Sequence, residues 1–423
     1  MQNHSLHSAH LPLPCPAKTD KDLFLKPMTP HSRIFSVLFL AVFATTLGVG
    51  LVVPLLPVYA HDLGAGAFQI GLIFGAFSLS RTLFVPLFGR LSDIKGKKPF
   101  LSLGLFLYTL LSLGFVFSDH VAELTALRLG QGFASAMILP VAQAYVGVIT
   151  PKDREGLTMG LFNVALFAGL SVGPLLGGLV EDAFGIRVSF LSMAFLTLTG
   201  FLLCRILLPA EEPSSEPRSP KAGRGAPYLR ILRQPSVFSL FAFRLGFTTA
   251  IGTVWAFLPL MASTRFGLTS AEIGVIVMLN VLISGALQTP MGYVADRFNK
   301  TFLIIAGGVL AAAAMLSFHW ASSFLDLCLA NAVLGVAGGV SFPAVMALGV
   351  IAGREKGGMG TVMGLLAMAH SLGMLSGPLL AGALLDLSSF GAVFVAGSAV
   401  LVTGTALFLG LHRRFETGTS TSS

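Results

Sequence analysis

Twelve segments of roughly 20 residues, each largely apolar and nearly free of charge, recur along this chain and constrain its fold more than any other feature. They span 34–59, 66–90, 99–118, 122–148, 157–180, 187–208, 236–261, 269–292, 301–319, 324–350, 358–383 and 389–411. Only 11% of residues are charged and 54% are hydrophobic, whereas a soluble domain carries about a quarter charged residues. A water-soluble fold of this composition has too few polar side chains to cover its surface. Lipid imposes no such demand, provided that every backbone polar group is satisfied inside a helix. The expected fold is an all-α integral membrane protein, with 12 transmembrane helices in two pseudo-symmetric six-helix bundles.

Charge sets the orientation. Of the 27 Lys and Arg, 21 fall in the tails and in the loops on the termini's side; Arg187 and Arg265 fall in loops on the other side, and Arg81, Arg128, Arg205 and Arg244 fall within helices. This asymmetry follows the positive-inside rule, so both termini are expected in the cytoplasm and the chain in the plasma (inner) membrane. The formal charge of +8 does not point to nucleic acid, because the basic loops are short and form no basic domain. Cys15, Cys204 and Cys328 are odd in number and have neither disulfide-framework nor zinc spacing. The organisation reads as a cytoplasmic tail (1–33, with Met28 as an alternative start), a first bundle (34–208), a Pro/Ser/Gly-rich cytoplasmic linker (209–235), a second bundle (236–411) and a cytoplasmic C-terminal tail (412–423).

The halves repeat one glycine pattern. Gly160, Gly169, Gly173, Pro174, Gly177 and Gly178 recur 204 residues later as Gly364, Gly373, Gly377, Pro378, Ala381 and Gly382 (364 − 160 = 204). Glycines four apart line one helix face and let backbones approach closely. The proline removes one backbone hydrogen bond and bends the helix. A second repeat lies after helices two and eight. Gly89, Asp93 and Gly96 in the first copy correspond to Gly292, Asp296 and Asn299 in the second, 203 residues on, with Arg297 beside the second Asp. Gly96 is expected to take a left-handed backbone in a tight turn, and Asn299 is the next most tolerant residue for it. Gly89 and Gly292 permit close helix approach, and an Asp at the membrane edge can meet a helix N-terminus or a basic loop residue.

Three stretches carry a family resemblance. Gly89 to Lys98 resembles motif A of the major facilitator superfamily, with Ile94 where the family usually has Arg. Arg128-Leu129-Gly130-Gln131-Gly132 resembles motif B. The first glycine repeat resembles motif C, which marks the 12-helix drug/proton antiporter branch. The resemblance covers residues 34–411. It implies that Asp93, and less directly Asp296, latches the cytoplasmic gate in the outward-open state, and that Arg128 takes part in proton coupling.

Residues that break the internal symmetry are the better candidates for substrate. With the same offsets, Arg81 faces Ser284, Arg128 faces Asn331, Arg244 faces Leu40 and His370 faces Leu166. Arg81 precedes Asp93 by 12 residues, about 18 Å along a helix and near the midplane. Charge there costs at least about 2.5–3.5 kcal/mol and is tolerated mainly where it lines a water-filled cavity. Arg205, near a helix end, reads as an anchor. No Asp or Glu lies deep in a helix; Glu123, Asp326 and Asp386 are near ends, and in the middle of helix one the polar groups are Thr45 and Thr46. A cavity holding Arg81, Arg244 and His370 favours an anionic, zwitterionic or neutral polar solute. Asn163, Trp255, Asn280 and Gln288 are the other candidates to line it, each also explicable as a polar contact between helices. His370, alone among deep residues in having an ordinary pKa near neutrality, is also a candidate coupling group.

The expected function is secondary transport of a small molecule by alternating access, by proton-coupled efflux. Import or facilitated passage of an organic anion is the alternative, and a transporter-like receptor without flux is a second. No catalytic constellation, metal-ligand cluster or cofactor motif is present, so an enzyme is not expected. A monomer is.

Overall fold

The computed structural model describes residues 30–150, 155–209, 228–355 and 359–420. The tail before residue 30, including Cys15 and Met28, most of the linker and the last three residues lie outside these ranges. The described residues are helical, with no strand. The first half contains α1 (Pro30–Val52), α2 (Leu56–Asp62), α3 (Ala67–Lys95), α4 (Lys97–Gly114), α5 (Val121–Ser135), α6 (Leu139–Ile149), α7 (Glu155–Phe184) and α8 (Ile186–Leu207). A short α9 (Tyr228–Leu232) occupies the end of the linker. The second half contains α10 (Pro235–Phe266), α11 (Ser270–Arg297), α12 (Lys300–Ser317), α13 (Phe324–Glu355), α14 (Met359–Leu387) and α15 (Phe390–Ser420).

Twelve spans are long and apolar enough to cross a bilayer. The first is broken between α1 and α2, and the fourth between α5 and α6, near Pro54 and Pro140, which have no N–H for the helix ladder. Large apolar side chains such as Leu83, Phe195 and Phe302 are about two-thirds exposed, as suits a lipid-facing surface. An even number of spans puts both ends of the described chain on one face, termed here the terminal face; the opposite one is the distal face.

Several helices run farther than the hydropathy indicates. α3 continues to Lys95, so Asp93 sits in its last turn, and α15 continues to Ser420 rather than ending at 411. Polar residues at these ends extend the hydrogen-bond ladder beyond the apolar stretch. Gly96 has φ 88°, the positive value its turn requires. Asn299 does not share it: its φ is −63°, and its side chain caps α12 by accepting from Phe302 N at 3.2 Å. A short polar side chain gains more at this position from capping than from a left-handed turn.

Within each half the glycine repeat seats one helix on another. A Cβ added at Gly173 would lie 2.7 Å from Gly50 Cα, and Gly177 abuts the Leu51 carbonyl, so α7 rides backbone-on-backbone along α1. Gly373 and Gly377 seat α14 on α10 in the same way. These contacts also correct one register. Gly169 meets Thr46, Leu47 and Phe43, and Gly373 meets Thr248, Thr249 and Leu245. The first and seventh helices are therefore related by 202 (248 − 46 = 202), not by 204. Arg244 accordingly faces the buried Val42, not Leu40, and still breaks the symmetry.

Candidate functional site at the closed end of the cleft between the halves

The halves meet along two seams, α3 on α14 and α7 on α11, and the close glycine contacts across them among the described residues all fall in the distal part of each. In the first seam Gly71 abuts the Pro378 carbonyl and Gly75 packs on Leu375 and Leu379. In the second, Gly274 abuts the Pro174 carbonyl and Gly285 packs on the Phe167 ring. Ser78 Oγ donates to Met374 O at 3.3 Å. Met374 is four residues before Pro378, whose missing N–H leaves that carbonyl without its helical partner. A serine of the opposite half supplies it. α2 and the distal end of α10 add apolar cover, with Ala256, Phe257 and Leu260 joining the first half's core. Toward the terminal face the seams part. Nothing lies within 4 Å of a Cβ built at Gly89, Gly160 or Gly292. The cleft is thus sealed distally and open toward the terminal face.

At its sealed end the three basic candidates come together. Arg81 is three residues beyond Ser78 on α3, and His370 is four before Met374 on α14, so each lies about one turn from the seam. Arg244 Nη2 is 3.3 Å from His370 Nδ1. Its guanidinium stacks 4.2 Å from the Phe342 ring centroid of α13, and its Nε is buried without a partner. Arg81 and Arg244 both fall within electrostatic range of His370. Among the described residues no acidic side chain is buried, and none ion-pairs with these arginines. The positive charge at the apex is uncompensated by protein.

Arg128 takes a separate position inside the first half. It is only 5% exposed, its Nη1 donates to Gln131 Oε1 at 3.3 Å, and its guanidinium lies 4.4 Å from the Phe77 centroid. Tyr108 of α4 is fully buried in the same half. The equivalent of the Arg128–Phe77 stack in the second half is an amide clasp. Asn280 Nδ2 donates to Asn331 O at 3.2 Å, and Asn331 Nδ2 donates to Ile276 O at 2.7 Å.

The remaining sequence candidates divide. The structure does not bring Asn280 to the arginines: it is buried and its amide is spent on α13. Trp255 is also elsewhere. It follows Arg244 by 11 residues on α10, about 16 Å toward the distal face. There it borders, with Gly50, Pro54, Leu170, Pro174 and Val277, a small space of about 20 Å³, room for about one water. Asn163 and Gln288, both half-buried, lie four residues before Phe167 and three after Gly285. They flank the second seam much as His370 and Arg81 flank the first. Thr45 and Thr46 donate to Ala41 O (2.7 Å) and Val42 O (2.8 Å) of their own helix.

In the motif A region, Asp93 Oδ1 is 3.7 Å from Lys97 Nζ, and among the described residues it makes no ion pair with the second half. Asp296 is exposed, and Arg297 stacks 4.1 Å from the Tyr293 centroid. Phe342, on which Arg244 stacks, and Ser78, which bonds across the seam, were not among the sequence candidates. Only Ser78 carried a signal, being one helical turn from Arg81 on the same face.

A sequence profile of the Major Facilitator Superfamily matches residues 38–266 and 244–422. The chain belongs to this superfamily. An uncharacterized MFS-type transporter of Methanocaldococcus jannaschii is 29% identical over 89% of this chain and 98% of its own length. Multidrug resistance protein 2 of Bacillus subtilis is 28% identical over 89% of this chain and 95% of its own. Among solved structures, the human organic anion transporter MFSD10 superposes with a TM-score of 0.63 at 22% identity, covering 90% of this chain and 100% of that one; this establishes the fold. The motif resemblance to the drug/proton antiporter branch agrees with these relatives. The facilitator chain is a multi-pass membrane transporter of small molecules.

Proposed function

We propose that this protein exports a small organic anion across the plasma membrane by alternating access, in exchange for protons. The observation that carries the reading is the apex of the cleft, where Arg244, His370 and Arg81 converge with no carboxylate among them. An anion docking there replaces the missing counter-charge and, by touching residues of both halves, ties its own binding to their relative rotation. A hydrophobic cation has no partner at this position and meets repulsion. The exchange for protons rests on the resemblance to the drug/proton antiporter branch, with Arg128 and His370, the latter in contact with Arg244, as the candidate coupling residues. The likeness to a multidrug resistance protein favours efflux.

The terminal face is taken as cytoplasmic on the distribution of Lys and Arg, so the cleft as observed faces the cytoplasm. The bundles 34–208 and 236–411 act as the rocking units, the linker 209–235 tethers them, and one chain suffices. In the opposite state Gly89, Gly292 and the Asp93 region close, and Asp93 exchanges Lys97 for a helix end of the second half.

The test is flux in proteoliposomes of known orientation under an imposed pH gradient. Accumulation of an organic anion against its gradient, opposite to the proton flow and abolished by a protonophore, is expected. Downhill flux independent of the gradient favours the facilitator reading, and no flux of any solute favours the receptor.

A further inference from the structure

The distal seal contains two carboxylates that neither the motifs nor the substrate site account for. Asp386, at the end of α14, accepts from the N–H groups of Ala67 at 2.8 Å and Phe68 at 2.9 Å, the first residues of α3 in the opposite half. Asp182, at the end of α7, accepts from Ser270 N at 3.0 Å and Ala271 N at 2.9 Å, the first residues of α11. The arrangements are the same joint built twice: Asp386 is Asp182 shifted by 204, and Ala67 and Ser270 are related by 203. Each Asp lies four residues beyond a glycine, Gly178 or Gly382, that abuts Ser270 or Ala67 directly. The repeat therefore extends one turn further than its glycines and includes the acid.

We propose that Asp182 and Asp386 form a paired latch that holds the distal face shut in this state. The first N–H groups of a helix have no partner within it and carry the positive end of its dipole, so a carboxylate there is favourable. Each helix already closes its preceding N–H locally, Gly66 N on Gln69 Oε1 at 2.9 Å and Thr269 N on Glu272 Oε2 at 2.8 Å. The next two donors of each are given to the other half instead. A local cap is indifferent to rocking of the halves, whereas a cap donated across the seam exists only while the distal face is closed. The two carboxylates thus contribute to one of two states, which is what shifts an equilibrium between them. Both acids are solvent-exposed, so water replaces them when the seam opens and the latch is reversible. Its expected weight is about fivefold in the population ratio for each acid, as for an exposed charge at a helix end, and about 25-fold for both, because the seams are separate and their effects add in free energy.

Electron–electron double resonance between nitroxides tests this, in a background with the native cysteines replaced. The distal pair is Phe117→Cys with Trp320→Cys and the terminal pair is Ile94→Cys with Phe298→Cys, all exposed positions. The unaltered latch is expected to give a short distal and a long terminal separation. Asp182→Asn and Asp386→Asn should each move population toward a long distal and a short terminal separation, the double variant furthest, with Asp→Glu intermediate. Distributions that superpose on the unaltered protein in folded Asn variants overturn the proposal. So does outright unfolding shared by the Asn and Glu variants, since that marks caps needed in both states.

Discussion

Two glycines of one repeat, on the same helix, should respond to alanine in opposite directions. At Gly173 the added methyl would lie 2.7 Å from Gly50 Cα, 2.8 Å from Gly50 C and 2.8 Å from Leu47 O. All three are backbone atoms that no rotamer change can withdraw. Relief requires α7 to move off α1 by most of an ångström, and overpacking of this kind costs about 1–3 kcal/mol. At Gly160, thirteen residues earlier, nothing lies within 4 Å of the same methyl. Alanine there gains up to about 1 kcal/mol of helix propensity. Gly173→Ala should therefore lower the unfolding midpoint in nanodiscs and slow flux, and Gly173→Leu should abolish transport, while Gly160→Ala is neutral or stabilising. If Gly173→Ala matches the unaltered protein in both assays, or if Gly160→Ala is as damaging, the close seat of α7 on α1 is not what the repeat is for.

Other consequences can be checked independently. Asp93→Asn should lower transport without loss of folding or membrane insertion, since among the described residues this acid ion-pairs with Lys97 alone, weakly at 3.7 Å, and serves the opposite state; normal flux removes it from the gate. Asn280→Leu breaks an amide bond between α11 and α13 and should cost about 0.6–1.7 kcal/mol, the range for buried polar contacts between membrane helices. The KM should stay unchanged, and a raised KM would return Asn280 to the cavity.

The sequence carried the architecture because lipid makes span length and apolarity a near-complete description of each helix. It carried the halves because the glycines and prolines needed for backbone contact are few and spaced. Arg81, Arg244 and His370 were legible because deep ionisable groups are rare and costly. What it could not carry was direction around a helix. Asn163 and Asn280 look alike in sequence, yet Asn280 is spent inside one half while Asn163 flanks the seam. Nor could it carry partners across the seam. Asp386 reads as an ordinary helix-end acid until α3 is brought to it from 319 residues away. Trp255 was placed with the arginines by polarity alone, and its distance along α10 puts it in the seal.

The most direct test of the central claim is substrate charge against the arginines. Matched fluorescent solutes, one carboxylate and one quaternary ammonium on the same aromatic body, are offered to proteoliposomes carrying the unaltered protein, Arg81→Gln, Arg244→Gln and Arg244→Lys. The carboxylate should be transported, with its KM raised about 10- to 100-fold in the Gln variants, the worth of a charge-assisted hydrogen bond. Lys should rescue only partly, because it lacks the planar fork. Transport of the ammonium solute, unaffected by either Gln variant, would contradict the account.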